Sequence, residues 1–195
     1  MLSGGGDRRL LLPLRKPNFK FWQGVLKRSG AQNFEEFKNL PSKTIYEAFA
    51  NSSGISSLFA TAPTMDGKLV KGKRHAPSPV ACVYGTVEKD MLPPLLKHMK
   101  RAMAKRMAKA GVPAYLYEMK HPLPGENGGT FHSSDLWYAL GSLKNSSRPF
   151  EERDVRLADE MTSRFAAFMR CGDPNADGYA KWKAYRGKEN ELVFE

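Results

Sequence analysis

The sequence predicts an α/β chain, a mostly parallel sheet flanked by helices, and three observations carry that reading. Residues 79–84, Pro-Val-Ala-Cys-Val-Tyr, form a short unbroken apolar run, the pattern of a parallel strand buried on both faces. Residues 93–110 repeat apolar side chains at helical spacing, and Gly111 and Pro113 stand where such a helix should stop. Residues 114–119, Ala-Tyr-Leu-Tyr-Glu-Met, are rich in aromatic strand formers. Strand, helix and strand in that order make a crossover unit that joins parallel neighbours.

Length and composition bound the rest. A chain of 195 residues, 41% apolar, has room for one domain, residues 1–195, with a sizeable core. No run of eighteen apolar residues exists, so no membrane span is expected. The charged pair Asp7-Arg8 lies inside the N-terminal apolar stretch rather than ahead of it, which does not fit a signal peptide. Cys82 and Cys171 form no C-x-x-C pair and read as free thiols with no metal framework; no cofactor is expected. The net charge of +11 raises nucleic acid or an anionic surface as a partner, but the basic residues are scattered. Their one concentration, residues 97–109, accompanies no nucleic-acid motif, and solvated lysines are the expected reading.

Taken in order, the chain opens on the glycine-rich Leu2-Ser3-Gly4-Gly5-Gly6. Residues 18–51 have a helical pattern, with Phe34, Phe37 and Leu40 in register. Ser42 is the expected N-cap of a helix carrying Ile45, Tyr46 and Phe49, with Lys43 and Glu47 outward. Asp66-Gly67 signals a turn, and residues 71–79 form a basic, proline-containing loop in which His75 has no evident role. The strand at 79–84 is expected to end in Gly85, followed by Glu88 and Asp90. On the helix after it, Leu92, Leu95, Leu96, Met99, Met103 and Met107 make the covered stripe. Lys97, Lys100, Arg101, Lys105 and Lys109 are assigned mostly to the wet side. A long helix over 151–170 presents Leu157, Met161, Phe165 and Phe168, with acidic residues at its start to suit the helix dipole. Trp182 and Tyr185 are expected in the core.

Candidate chemistry gathers after the two central strands. Functional groups in open α/β sheets cluster at the carboxyl ends of strands, where Glu88 and Asp90 follow one strand and His132 the next. His132 comes just after the glycine- and proline-rich loop 122–129, which can bend sharply and aim a side chain. Imidazole titrates nearest neutrality and suits proton transfer. Each residue also has a plain structural alternative: His132 as a surface or capping histidine, Asp90 as the N-cap of the helix that follows.

The pattern His132-x-x-Asp135-Leu136-x-Tyr138-x-x-Gly141 resembles the histidine motif of the type B carboxylesterases, α/β-hydrolases that include the cholinesterases. The Cys171-Gly-Asp-Pro-Asn175 turn and Trp182 with Tyr185 resemble that family's C-terminal end, and residues 191–194 resemble its terminal strand. Residues 63–70, Pro-x-x-Asp-Gly-x-x-Val, resemble a segment near its active-site gorge. The strand, Gly85 and a carboxylate five positions on resemble its acid motif, with Lys89 where Asp is usual. The resemblance implies an α/β-hydrolase and hydrolysis of a small-molecule carboxylic ester through a serine acyl-enzyme. His132 is then the base and Asp90 the orienting acid, with Glu88 also within reach. The family's elbow, G-x-S-x-G, does not occur; Gly54-Ile-Ser56-Ser-Leu58 lacks the final glycine. The chain is therefore expected to be the C-terminal portion of such a hydrolase, incomplete without the N-terminal strands.

Two other readings come from different classes: a non-catalytic esterase-like module kept for binding, and a basic helical module for nucleic acid. The second has a direct test. If the basic helix is only solvated, duplex DNA should bind weakly and without sequence preference, and binding should collapse between low and physiological salt in a fluorescence-anisotropy titration. Tight, salt-resistant binding that needs residues 97–109 would revive it.

Overall fold

The computed structural model describes residues 2–3, 19–52, 68, 79–90, 93–125, 130–187 and 190–195. It forms two compact units, one of Met1–Asp7 with Ala76–Glu195 and one of Arg8–His75. The expected turn at Asp66-Gly67, the rejected elbow at residues 54–58, the loop with His75, Leu92, and residues 126–129 lie outside the described residues.

The larger unit holds a four-stranded sheet in the order β1-β2-β3-β4, parallel throughout. Its strands are β1 (Leu2–Ser3), β2 (Cys82–Val87), β3 (Ala114–Met119) and β4 (Leu192–Phe194). Every β3 residue is buried, as a central strand with both faces covered should be. β2 runs past the expected end at Tyr84: Gly85, Thr86 and Val87 pair with Tyr117, Glu118 and Met119. The continuation follows from burial of Val87 and Thr86, while Pro79 and Val80 stay exposed ahead of the strand.

The helices of this unit are α4 (Pro93–Lys109), the short α5 (Leu136–Ala139) and α6 (Glu152–Cys171). On α6, Leu157, Ala158, Met161 and Phe165 pack with Val83, Tyr115, Tyr117, Trp182 and Phe194 in one core. The helix is capped at Glu151, whose N–H donates to Asp154 Oδ2 at 2.8 Å, and stops at Gly172, which takes φ 76°. Asp154 is thus a buried cap in the first turn, where its carboxylate also suits the helix dipole. The Gly-Asp-Pro-Asn turn acts as a clasp: the Asn175 side chain accepts from Trp182 N at 2.7 Å and donates to Trp182 O at 3.1 Å. With Trp182 Nε1 donating to Leu116 O, this pins the indole over the sheet.

Helix α4 covers the other face through Met99, Ala104 and Met107. One residue departs from its assignment to the wet side. Lys100 is completely buried, its Nζ donating to Thr86 Oγ1 at 2.8 Å and Tyr117 O at 2.7 Å, with Glu191 Oε2 at 3.2 Å. A counter-charge and two acceptors make burial tolerable where helical position alone places a lysine outside. Burial lowers the Lys100 pKa, and Glu191 opposes that shift. Burial pushes the Glu191 carboxyl up, but the Arg101 hydrogen bond and the two neighbouring charges outweigh it and hold it below the ordinary glutamate value.

The smaller unit contains α1 (Phe19–Ser29), α2 (Phe34–Lys38) and α3 (Ser42–Ala50) around Phe21, Val25, Ala31, Phe37 and Ala48. Asn33 caps α2 by accepting from Glu36 N at 2.9 Å. At α3 the N-cap position belongs to Pro41, and Ser42 is the first helical residue with no capping hydrogen bond. Pro41 takes extended backbone (ψ 138°), so the turn into the helix falls one residue earlier than the serine suggested.

Replacing Glu191 by Gln strips Lys100 of its counter-charge. Breaking a buried pair costs about 3–5 kcal/mol, whereas Glu195→Gln, at the exposed Lys120–Glu195 pair, should cost under about 1 kcal/mol. Urea melts of the two variants should separate accordingly. Because folding lowers the Glu191 pKa, its stabilisation is complete above the ordinary glutamate range and is lost as pH falls through the lower folded value. Equal midpoints for Glu191→Gln and wild type would mean the pair contributes nothing.

Candidate active site

Parallel strands deliver their carboxyl ends to one edge, so the segments after β2 and β3 meet there. Beyond β3 the chain leaves the sheet and returns at Thr130, which is stitched to both strands. Its hydroxyl donates to Met119 O at 3.1 Å and accepts from Glu88 N at 2.9 Å. Its carbonyl accepts from Lys89 N at 3.1 Å, and Phe131 continues the contact as a parallel bridge to Lys89.

The next residue is His132, and its Nδ1 lies 2.7 Å from Asp90 Oδ1. The Asp90 side chain is 1% exposed and the His132 side chain 54%. A buried carboxylate therefore holds an imidazole that solvent can reach. In the neutral ring, a carboxylate on Nδ1 selects the Nδ1–H tautomer and leaves the acceptor lone pair on Nε2. Glu88 stands exposed at the turn; what it gives to the arrangement is its backbone N–H, which also donates to Met119 O at 2.9 Å.

Past His132 the backbone turns sharply. Ser133 takes φ 69°, the only non-glycine among the described residues in the left-handed region. Ser134 N then donates to Phe131 O at 2.9 Å, and the turn runs into α5. Asp135, fully buried at the start of α5, accepts from Tyr117 Oη through Oδ2 at 2.6 Å. The Tyr117 ring reaches that position by lying across Gly85: a Cβ built there would be 1.9 Å from Tyr117 Cζ and 2.3 Å from its hydroxyl.

A second histidine–aspartate pair lies inside the same unit. His121 Nε2 is 2.9 Å from Asp154 Oδ1, which also accepts from Tyr138 Oη at 2.8 Å. Burial pushes the Asp154 carboxyl up, but hydrogen bonds from Glu151, His121 and Tyr138 outweigh it and keep the group below its ordinary value. Burial and the same carboxylate push the Tyr138 phenol well above its ordinary range. All three side chains are buried, and the cluster braces the start of α6 against α5 and the segment that follows β3.

Among the described residues no group of three or more His, Cys, Asp and Glu could hold a metal ion, and no helix is long and apolar enough to cross a membrane. Sequence reasoning did not find Thr130, Tyr117 or Lys100. The only available signal was the complementarity of Gly85 with a large aromatic on the neighbouring strand, which needs the register to be known.

The family model described as the carboxylesterase family matches residues 89–195, more than half of the chain. The chain belongs to the carboxylesterase family. It is 34% identical over 97 residues to carboxylesterase 5A of Felis catus, an alignment covering 44% of this chain and 18% of that protein. Among solved structures it superposes on a PNB esterase with a TM-score of 0.78 and 14% identity, covering 99% of this chain and 52% of that one. An esterase from Clostridium hathewayi gives 0.66 and 17%, with 98% and 51% covered. The parallel sheet with flanking helices is thus an α/β-hydrolase fold, and the chain spans about half the length of these esterase structures.

Gly85 offers a test of how the carboxylesterase sheet accommodates Tyr117. The ring is held by Phe165, Trp182 and Phe194 at centroid distances of 5.8, 6.2 and 5.6 Å as well as by Asp135. Gly85→Ala should therefore destabilise by roughly 1–3 kcal/mol or more through overpacking, read as a lower midpoint in a urea melt. An unchanged midpoint would show that the ring can move aside freely.

Proposed function

We propose that this chain supplies the base and the orienting acid of a carboxylic ester hydrolase that works through a serine acyl-enzyme. The observation that carries the reading is the Asp90–His132 hydrogen bond, a buried carboxylate on Nδ1 with the imidazole open to solvent. Membership of the carboxylesterase family and the esterase fold support it.

The chemistry follows from that tautomer. As a serine Oγ attacks the ester carbonyl carbon, His132 Nε2 takes its proton, and Asp90 steadies the imidazolium. Collapse of the tetrahedral adduct breaks the bond to the alkoxide, which receives the proton from His132 and leaves as the alcohol. Water then attacks the acyl-enzyme with the same base, releasing the acid and restoring serine. No G-x-S-x-G stands in the 195 residues, so the serine and the oxyanion donors would come from sequence outside them. The substrate class is a small-molecule carboxylic ester.

The test joins the chain to the N-terminal half of a related esterase that carries an elbow and an oxyanion loop. The hybrid should hydrolyse an activated p-nitrophenyl ester and lose that activity to a serine-directed organophosphate. His132→Ala should remove nearly all of it, and Asp90→Asn should cost roughly 10⁴-fold by favouring the wrong tautomer. Glu88→Gln should have little effect. A hybrid crippled by Glu88→Gln and indifferent to Asp90→Asn would overturn the acid assignment. One that stayed active without His132 would overturn the whole reading.

A further inference from the structure

His132 sits between two buried anchors that face different parts of the sheet. On its N-terminal side Thr130 bonds to Glu88 N, Lys89 N and Met119 O. On its C-terminal side Asp135 receives the Tyr117 hydroxyl at 2.6 Å. The segment between them contains Ser133 at φ 69°, a left-handed conformation that is unfavourable for a non-glycine residue and persists only where its surroundings impose it. Thr130 by itself fixes where the segment leaves the sheet. It does not fix the turn after His132, which sets the direction of the imidazole.

The geometry points to Tyr117 as a positioning residue for His132, acting through Asp135. Its phenol crosses Gly85 of β2, the strand whose continuation carries Asp90, and grips the segment that carries His132. One side chain thereby couples the placement of both members of the pair. Asp135 is 0% exposed, so its carboxylate has a strong requirement for donors, and the phenol meets it from a fixed direction. Tyr117 touches no substrate and moves no proton; its effect is to keep Nδ1 of His132 within hydrogen-bond reach of Asp90. This inference rests on the Asp90–His132 pair of the proposed function.

The test reads that pair directly on the full chain, without needing turnover. In wild type, proton NMR should show a far-downfield resonance from His132 Nδ1–H, and Asp90→Asn should abolish it. Tyr117→Phe removes only the hydroxyl and keeps the ring against Phe165, Trp182 and Phe194. It should broaden or lose that resonance. Tyr115→Phe, a change on the same strand outside this contact, should leave the resonance as in wild type. Asp135→Asn, whose amide oxygen can still accept from Tyr117, should retain the resonance. If Tyr117→Phe does not fold, the pair Tyr117→Phe with Asp135→Asn, which removes the buried charge along with its donor, carries the same readout. A folded variant lacking the Tyr117 hydroxyl with an unchanged His132 signal overturns the inference and leaves the proposed function standing. A wild-type chain without the resonance sinks the proposed pair itself, and the positioning role with it.

Discussion

The register between β2 and β3 is the constraint on which the rest of the larger unit depends. Six residues pair in order, from Cys82 with Ala114 to Val87 with Met119. Sliding either strand by one residue would move it about 3.3 Å and turn every side chain to the opposite face. Gly85 would no longer lie beneath the Tyr117 ring, and Lys100 would lose Thr86 and Tyr117 O together. The Glu88 amide would miss Thr130, and Asp90 would miss His132 by more than the length of a hydrogen bond. The contact at the sheet edge is therefore a consequence of pairing deep inside it. Close packing makes the register discrete: the phenol fits over a glycine and over nothing larger.

Charge is managed inside this fold rather than kept off it. Lys100 and Glu191 join α4 to the segment entering β4, with Arg101 adding a second bond to the same carboxylate. Arg164 is equally enclosed, paired with Glu160 and donating to Ala180 O at 2.8 Å. Pairs of this kind contribute little net stability compared with apolar packing, but they penalise any arrangement that separates the partners. Here they tie the last strand and the turn before Trp182 to the helices that cover the sheet, so the two halves of the core are held in one arrangement. His121, Asp154 and Tyr138 do the same at the start of α6.

The two histidine–aspartate pairs show why burial matters more than residue type. His121 with Asp154 and His132 with Asp90 have nearly the same separation, 2.9 and 2.7 Å. In the first, both side chains are closed in and their hydrogen bonds are spent on α6 and Tyr138. In the second, the carboxylate is closed in and the ring is open. Only an imidazole with one nitrogen fixed and the other reachable can accept a proton from an incoming group.

Local pattern was enough to read much of this from the sequence. Apolar runs, helical stripes, Gly111 with Pro113, and the Gly-Asp-Pro-Asn turn mark elements whose signals lie within a few residues of one another. They placed β3, α4 and α6, the family resemblance placed the last strand, and the order strand, acid, strand, histidine put Asp90 and His132 at the same edge. The end of β2 was misplaced because Gly85, a breaker by local criteria, is required there by a ring from the next strand. Lys100 was put outside because helical periodicity cannot see Glu191, distant in sequence and beside it in space. For the same reason Tyr117 passed as one more aromatic strand former: its partners, Gly85 and Asp135, are chosen by register and by the return of the chain at Thr130. The elements and their order could be read from the chain alone, since they rest on short-range periodicity and backbone preference. The contacts between those elements emerged only once the chain was folded, since a buried polar side chain is defined by whatever reaches it across the fold.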